Sequence, residues 1–150
     1  MVTEIWETVK GYEGLYEVSN EGRVRSLDHE VPNGANSFRI AKGRVLRQRV
    51  NSNGYLRVCL CKENKRKDFY VHRLVVEAFI GAIPNGLEVN HIDMNRANNN
   101  LANLEIVTNS ENKRKARELN WTEALEKQWE QCFAKRQETN KKLKEVLSDK

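Results

Sequence analysis

One histidine lies inside a stretch of unusual composition. His91 falls between Glu88 and Asn112, and this stretch also contains eight asparagines. An unperturbed imidazole, with a pKa of about 6.5, is mostly neutral at physiological pH and can therefore accept a proton. Asparagine is a poor helix and strand former, but it tolerates left-handed backbone angles and satisfies its own turn. The pattern therefore predicts a loop between two strands that could carry a catalytic site on a rigid frame.

Apolar runs on both sides of the loop predict the elements that hold it. Residues 89–91 have the pattern of the end of a short strand, and residues 104–107 have the pattern of a second strand. Thr108 and Glu111 match a capping box, so a helix is predicted to begin at about Asn109. Strand, loop, strand and helix in this order make a ββα unit.

Positive charge is concentrated before this unit. The chain has a net charge of +5, but residues 39–67 hold ten basic residues and one acid, so this segment is +9 and the remainder −4. Such a segment can be merely a solvated surface. Here, however, arginine, tyrosine and Asn-Gly turns alternate with valine and leucine, which suits a sheet face lying along a polyanion. The pattern favours a nucleic acid as the partner, because each neutralised phosphate releases a counterion.

Short strands are predicted along the first half of the chain. Residues 5–9, 15–18 and 23–27 alternate in hydropathy and are separated by glycine-containing turns, which predicts an antiparallel meander. On the third strand, Val24 would face the core, while the flanking arginines share the opposite face. These arginines could be ordinary solvated residues, but the basic segment that follows favours a DNA-facing role.

The following residues predict a hairpin and a helix. Residues 28–37 have the composition of a polar loop, and residues 44–50 and 55–61 are predicted to pair as a hairpin. Another strand is predicted at 68–71, after a basic turn. Apolar residues at helical spacing then predict a helix over 72–81, closed by a glycine.

Cysteine content and hydropathy indicate the compartment. Three cysteines, an odd number, argue against a disulfide framework and fit a reducing environment. Cys59 and Cys61 fall on one strand face; a zinc site would need two further ligands where only Cys132 remains, so small core side chains are favoured. No apolar run approaches the roughly 18 residues of a membrane span, and no secretion signal is evident. The protein is therefore expected to be soluble and cytoplasmic.

The last part of the chain has a different composition. Residues 119–150 predict a long amphipathic helix, because aromatic and apolar residues recur at spacings of three and four. This apolar stripe could pack on the protein's own sheet, form a dimer contact or lie along DNA. The protein is accordingly expected to be a monomer, or a homodimer through this helix.

Several motifs resemble one nuclease family. The sequence resembles the HNH endonucleases and is closest to their phage and intron homing branch. The residues that carry this resemblance are 89–95, 98–101, 103–108 and Asn112. Residues 5–26 resemble the NUMOD4-like DNA-binding motif that commonly precedes that domain. The resemblance covers nearly everything from residue 4 to about residue 118.

The resemblance implies an α+β fold with an N-terminal antiparallel β meander and hairpins, a ββα-metal HNH unit and a long C-terminal helix. The implied domains are a basic β-rich DNA-binding region at 1–70, with the NUMOD4-like motif at about 4–27, the HNH domain at 71–118, and the C-terminal helix at 119–150. The implied activity is metal-dependent hydrolysis of DNA phosphodiester bonds, as a nick or a double-strand cut. The alternative is a DNA-binding module that does not cleave.

The resemblance also assigns roles to single residues. His91 would be the general base, and the side chain of Asn103 would hydrogen-bond across the loop and hold His91 in orientation. Asn90 and Asn112 would be ligands of one divalent metal ion. Two neutral amide oxygens suit Mg²⁺ or Mn²⁺ better than Zn²⁺. Asp93 is expected to act mainly in the turn. The same is expected of Asn95, Asn98, Asn99 and Asn100.

Double-stranded DNA is the expected partner, and no membrane is expected. His72, at the start of its helix, is open between a phosphate contact, a helix-start hydrogen bond and catalysis, with a structural or DNA-contacting role favoured. The residues expected to contact DNA are Arg23, Arg25, Arg44, Arg47, Arg49, Arg57, Lys65, Arg66, Lys67, His72 and Arg73.

Overall fold

The computed structural model describes residues 3–118. The chain forms two compact units, residues 1–108 and 109–150. The first unit contains β1 (Trp6–Thr8), β2 (Tyr16–Ser19), β3 (Val24–Ser26), β4 (His29–Pro32), β5 (Phe38–Ala41), β6 (Arg49–Val50), β7 (Leu56–Lys62), β8 (Lys65–Tyr70), α1 (Val71–Phe79), β9 (Leu87–His91), a 3₁₀ turn (Leu101–Asn103) and β10 (Leu104–Thr108). In the second unit, residues 109–118 are helical, as the capping box predicts. The long helix predicted over 119–150, and the homodimer through it, lie outside the described residues.

The N-terminal meander is confirmed. β1, β2 and β3 form an antiparallel sheet in that order, with Val18 opposite Val24, and both valines are fully buried. The guanidinium groups of Arg23 and Arg25 lie over the ring of Trp6 on the other face. The alternation of the sequence therefore identifies the two faces of this sheet correctly.

The polar loop predicted at 28–37 is confirmed only over residues 33–37, because residues 29–32 form β4. β4 and β5 form an antiparallel hairpin there, with Glu30 opposite Ile40. Its side chains are exposed or half-buried, and Phe38 and Ile40 are exposed. Because neither face is buried in a core, the sequence has no clear apolar period that could reveal the strands. The strand predicted at 44–50 is likewise reduced to β6 and a single bridge between Arg25 and Val45.

A second antiparallel sheet consists of β6, β7 and β8. β7 and β8 are joined by Glu63 and Asn64, both with positive φ, a conformation typical of a tight hairpin turn. Leu60, two residues after Val58, shares its buried face. Cys59 and Cys61 therefore point to the opposite face, half-buried and exposed, and the expectation that they are core side chains is wrong.

Helix α1 joins the two halves of the first unit. Its buried residues, which include Val71 and Val75, belong to one apolar cluster with Val18 and Val24 of the meander, Val58 of β7 and Leu104 of β10. The meander, the second sheet and the β9–β10 hairpin thus share a core. Among residues 3–118, no helical segment is long and apolar enough to cross a membrane.

Candidate active site

The β9–β10 hairpin carries the candidate catalytic residues. The two strands pair antiparallel, with His91 opposite Leu104 and Asn90 opposite Glu105. His91 is the last residue of β9, and only 4% of it is exposed. The chain leaves the sheet directly after it, so the asparagine-rich loop begins at the imidazole.

Asp93 and Asn103 hold this loop together. The backbone amide of Asp93 donates to Oδ1 of Asn103 (3.0 Å), and Nδ2 of Asn103 donates back to the Asp93 carboxylate (2.9 Å) and to the carbonyl of Asn98 (2.9 Å). The carboxylate also accepts from the side chain of Asn98 and the backbone amide of Asn95. These hydrogen bonds, that from Asn98 first, lower the pKa of Asp93. The turn role expected for Asp93 agrees with these contacts.

The hydrogen-bond partner of the imidazole is Asn99. Nε2 of His91 lies 2.8 Å from Oδ1 of Asn99, and Asn99 is 3% exposed. Asn103 bonds across the loop, as expected, and its side-chain partners are Asp93 and Asn98; its role in orienting His91 stays a prediction. Composition marks the loop as functional, but which of its asparagines meets the histidine depends on the path of the backbone.

Two rings pack against His91, and a third ring packs against those two. The ring centroid of His72 lies 5.2 Å from that of His91, and the centroid of Tyr55 lies 5.9 Å away. Tyr70 packs against both His72 and Tyr55. Both tyrosines lie at the open end of the hairpin formed by β7 and β8. They were not among the predicted site residues, because only the fold brings them to β9.

His72 does not lie on the expected DNA-facing surface. It is 7% exposed, and its Nδ1 has no hydrogen-bond partner among the described residues. Burial chiefly, followed by His91 and Arg73, lowers the pKa of His72 to about 4. His72 is one of the buried residues of α1. This burial agrees with the structural role, which is one of the two roles favoured for His72.

Asn90 has one oxygen suited to a cation. Its Nδ2 donates to Oε1 of Glu105 (2.8 Å), and the opposite end of the planar amide presents Oδ1. Sequence analysis missed Glu105, whose position opposite Asn90 follows from the strand register. Asn112 lies in the second unit, within the helical residues 109–118. Residues 3–118 contain no cluster of three or more His, Cys, Asp or Glu that could hold a metal.

The expected DNA-contacting residues fall into two groups. Arg23 pairs with Glu4 and Arg25 with Glu17, while Arg49 and Arg57 both lie within 3.5 Å of Asp68. The remaining residues of the expected set, except His72, are exposed: Arg44, Arg47, Lys65, Arg66, Lys67 and Arg73.

An open groove lies within the basic segment. It is lined by Arg47, Gln48, Arg49 and Val50, with a volume of about 690 Å³. Two of its four lining side chains carry positive charge, which suits a phosphate backbone.

Two family models match the chain. Residues 4–61 match the NUMOD4 motif, and residues 69–114 match the HNH endonuclease model. The chain is 41% identical over 103 residues to the DNA endonuclease I-HmuI of Bacillus phage SP01, an alignment covering 69% of this chain and 52% of that protein. An uncharacterized HNH endonuclease of Acanthamoeba polyphaga mimivirus is 33% identical over 151 residues, which cover 97% of this chain and 33% of the relative.

A solved structure shares this fold. It is described as DNA binding and cleavage by the HNH homing endonuclease I-HmuI, and it superposes with a TM-score of 0.64 at 37% identity. The match covers 77% of this chain and 59% of that one. The chain thus spans about half the length of I-HmuI and a third of the mimivirus relative.

Proposed function

Since this chain belongs to the HNH endonucleases and carries an N-terminal NUMOD4 motif, we propose that it is a metal-dependent DNA endonuclease of the homing type. Its reaction would be the hydrolysis of phosphodiester bonds in double-stranded DNA. The observation that carries the proposal is the buried imidazole of His91, held at the end of β9 by an asparagine loop of the HNH pattern.

His91 is assigned the role of general base. Its neutral imidazole would take a proton from a water molecule, and the oxygen of that water would attack the scissile phosphorus in line with the leaving 3′ oxygen. The ring contacts with His72 and Tyr55 and the hydrogen bond to Asn99 restrict rotation of the imidazole. A fixed ring supports the in-line geometry, because proton transfer requires the nitrogen within hydrogen-bond reach of the water.

Asn90 and Asn112 are assigned to hold one divalent cation through their amide oxygens. Hard, neutral oxygen ligands fit Mg²⁺ or Mn²⁺ better than Zn²⁺, and phosphate oxygens would complete the coordination. The Glu105 carboxylate beside Asn90 adds negative charge, which favours a cation there. A bound cation would stabilise the charge that develops on the phosphate and the leaving oxygen.

The exposed basic residues are assigned to bind the DNA backbone. Arg47 and Arg49 line the groove described above, and Lys65, Arg66 and Lys67 lie on β8 of the same sheet. The four arginines that pair with a carboxylate within the protein would contribute less: Arg23, Arg25, Arg49 and Arg57. These contacts would position the duplex without reading its sequence.

Plasmid nicking tests the proposal. Wild-type protein is expected to convert supercoiled plasmid to nicked or linear forms with Mg²⁺ or Mn²⁺, and His91→Ala is expected to bind DNA without cutting it. His29→Ala is the matched control, because it removes another imidazole, that of the first residue of β4, which bonds to the Leu27 carbonyl. A wild-type protein that shifts the plasmid in a gel but leaves it supercoiled with both metals would establish the binding-only alternative instead.

A further inference from the structure

We propose that Asn99 is a positioning residue for His91, and that the turn between β2 and β3 in the NUMOD4 motif holds Asn99 in place. The proposal rests on the proposed role of His91 as the general base. It adds a residue to the site and links the N-terminal motif directly to that site.

The hydrogen bond to Asn99 selects one form of the imidazole. An amide oxygen can only accept a hydrogen bond, so the contact of 2.8 Å between Nε2 of His91 and Oδ1 of Asn99 is a hydrogen bond in the form of the ring that carries its proton on Nε2. The lone pair of the neutral ring then resides on Nδ1, which becomes the nitrogen that accepts the proton of the attacking water. The hydrogen bond thus decides which ring nitrogen is basic.

Burial makes this contact restrictive. His91 and Asn99 are both more than nine-tenths buried. If the imidazole rotated away, the amide oxygen of Asn99 would lose its partner in a site shielded from water, which disfavours the rotation. Nδ2 of Asn99 has no hydrogen-bond partner within residues 3–118, so the bond to His91 is the main polar contact that fixes this side chain.

The N-terminal turn packs directly on Asn99. A Cβ placed on Gly22 would lie 2.7 Å from Cβ of Asn99 and 2.9 Å from its carbonyl oxygen, closer than side chains tolerate. The turn is anchored on both sides: the Leu101 amide donates to the Asn20 carbonyl (2.8 Å), and Nε2 of Gln48 donates to the Gly22 carbonyl (2.6 Å). Because Gly22 has no side chain, the turn of the meander can pack directly against the loop that holds His91.

Two substitutions at Asn99 separate positioning from packing. Asn99→Leu removes the acceptor at similar size, and Asn99→Asp keeps an oxygen acceptor in the same place. The single-turnover cleavage rate is expected to fall about 10- to 100-fold in the leucine variant, as for other residues that orient a reactive group. The dissociation constant for DNA should stay within about twofold of wild type. The aspartate variant should recover most of the rate.

The ring nitrogens can be observed without measuring cleavage. A long-range ¹H–¹⁵N correlation spectrum of histidine-labelled protein at pH 8 distinguishes the two neutral forms of imidazole, and His91→Ala identifies the His91 signals. Wild type should show the Nε2-protonated form, and Asn99→Leu should show a mixture of both. If the leucine variant does not fold, the wild-type spectrum and the aspartate variant still test whether Asn99 positions His91.

Gly22→Ala tests the contribution of the turn. It should lower the cleavage rate and alter the His91 spectrum, because its methyl group would displace Asn99. Gly11→Ala is the matched control: Gly11 has φ +82° against +83° for Gly22, but a Cβ there meets nothing within 4 Å. Backbone strain is therefore common to both variants, while the contact with Asn99 is specific to Gly22.

Three results would overturn the proposal. One is an Nδ1-protonated His91 in the wild-type spectrum, another is wild-type cleavage by Asn99→Leu when His91→Ala is inactive, and the third is an equal effect of Gly11→Ala and Gly22→Ala on the rate. Cleavage by His91→Ala at the wild-type rate would instead refute the assignment of the base, and the spectrum would still report on the contact itself.

Discussion

Replacing His72 by phenylalanine should make the protein more resistant to acid. Burial lowers the pKa of His72 from 6.5 to about 4, so between these values the unfolded chain takes up a proton that the folded protein does not. Stability is therefore lost as the pH falls through this window, and no further loss from His72 occurs below about pH 4. A shift of roughly 2.5 units corresponds to about 3 kcal/mol at 1.36 kcal/mol per unit. That is a large share of the roughly 5–15 kcal/mol typical of a domain.

Urea unfolding at pH 7.5, 6, 5 and 4 measures the effect. Phenylalanine keeps a ring beside Tyr55, Tyr70 and His91 and cannot take up a proton. The difference in unfolding free energy between variant and wild type should therefore change by about 3 kcal/mol in favour of the variant from pH 7.5 to pH 4. Carboxylates whose pKa is lowered in the fold, such as Asp93, also stabilise the protein less at acidic pH. This loss is the same in both proteins, so it cancels in the difference between them. Parallel pH profiles, differing by less than about 1 kcal/mol, would refute the reasoning.

The other predictions concern the loop, the cation and the DNA. Asp93→Ala should lower the urea concentration at which the first unit unfolds, because it leaves the amide of Asn103 without one acceptor; an unchanged urea midpoint would contradict the role given to this contact. Glu105→Gln should raise the Mg²⁺ concentration needed for half-maximal cleavage, because it removes a charge beside Asn90; an unchanged requirement would exclude Glu105 from the cation's surroundings. Arg47→Ala should weaken DNA binding and reduce by about 1 the slope of the logarithm of the binding constant against the logarithm of the salt concentration. An unchanged slope would show that the groove does not contact DNA.

Much of the fold follows from the alternation of apolar residues. The meander was predictable because Val18 and Val24 must face a core, and the helix beginning at residue 109 was predictable from its capping pattern. The β4–β5 hairpin was not, because its residues are exposed or half-buried on both faces. The cysteines on β7 were assigned to the wrong face. Side chains alternate along a strand, and the face that is buried is that of Val58 and Leu60.

The site was predictable at the level of the loop and less so at the level of single contacts. The apolar pattern of residues 89–91 predicts that His91 ends a strand, and in the structure it does. The partner of its imidazole depends on where the loop backbone runs, and Gly22 influences that path from more than 60 residues earlier in the chain. The role of His72 was left between structural and DNA-contacting because the first turn of a helix can face either way, and only the packing of α1 decides. The roles of Asn90 and Asn112 as metal ligands, and the domain boundaries at 70 and 118, stay predictions.

The central claim is that His91 makes this chain a nuclease, and the rate of plasmid nicking at equal DNA occupancy tests it most directly. With Mg²⁺ and protein concentrations matched for binding, wild type and His29→Ala should nick at the same rate, and His91→Ala should be slower by about 10²-fold or more, as expected on losing a general base. Equal rates for wild type and His91→Ala, or no nicking by bound wild-type protein, would contradict the account.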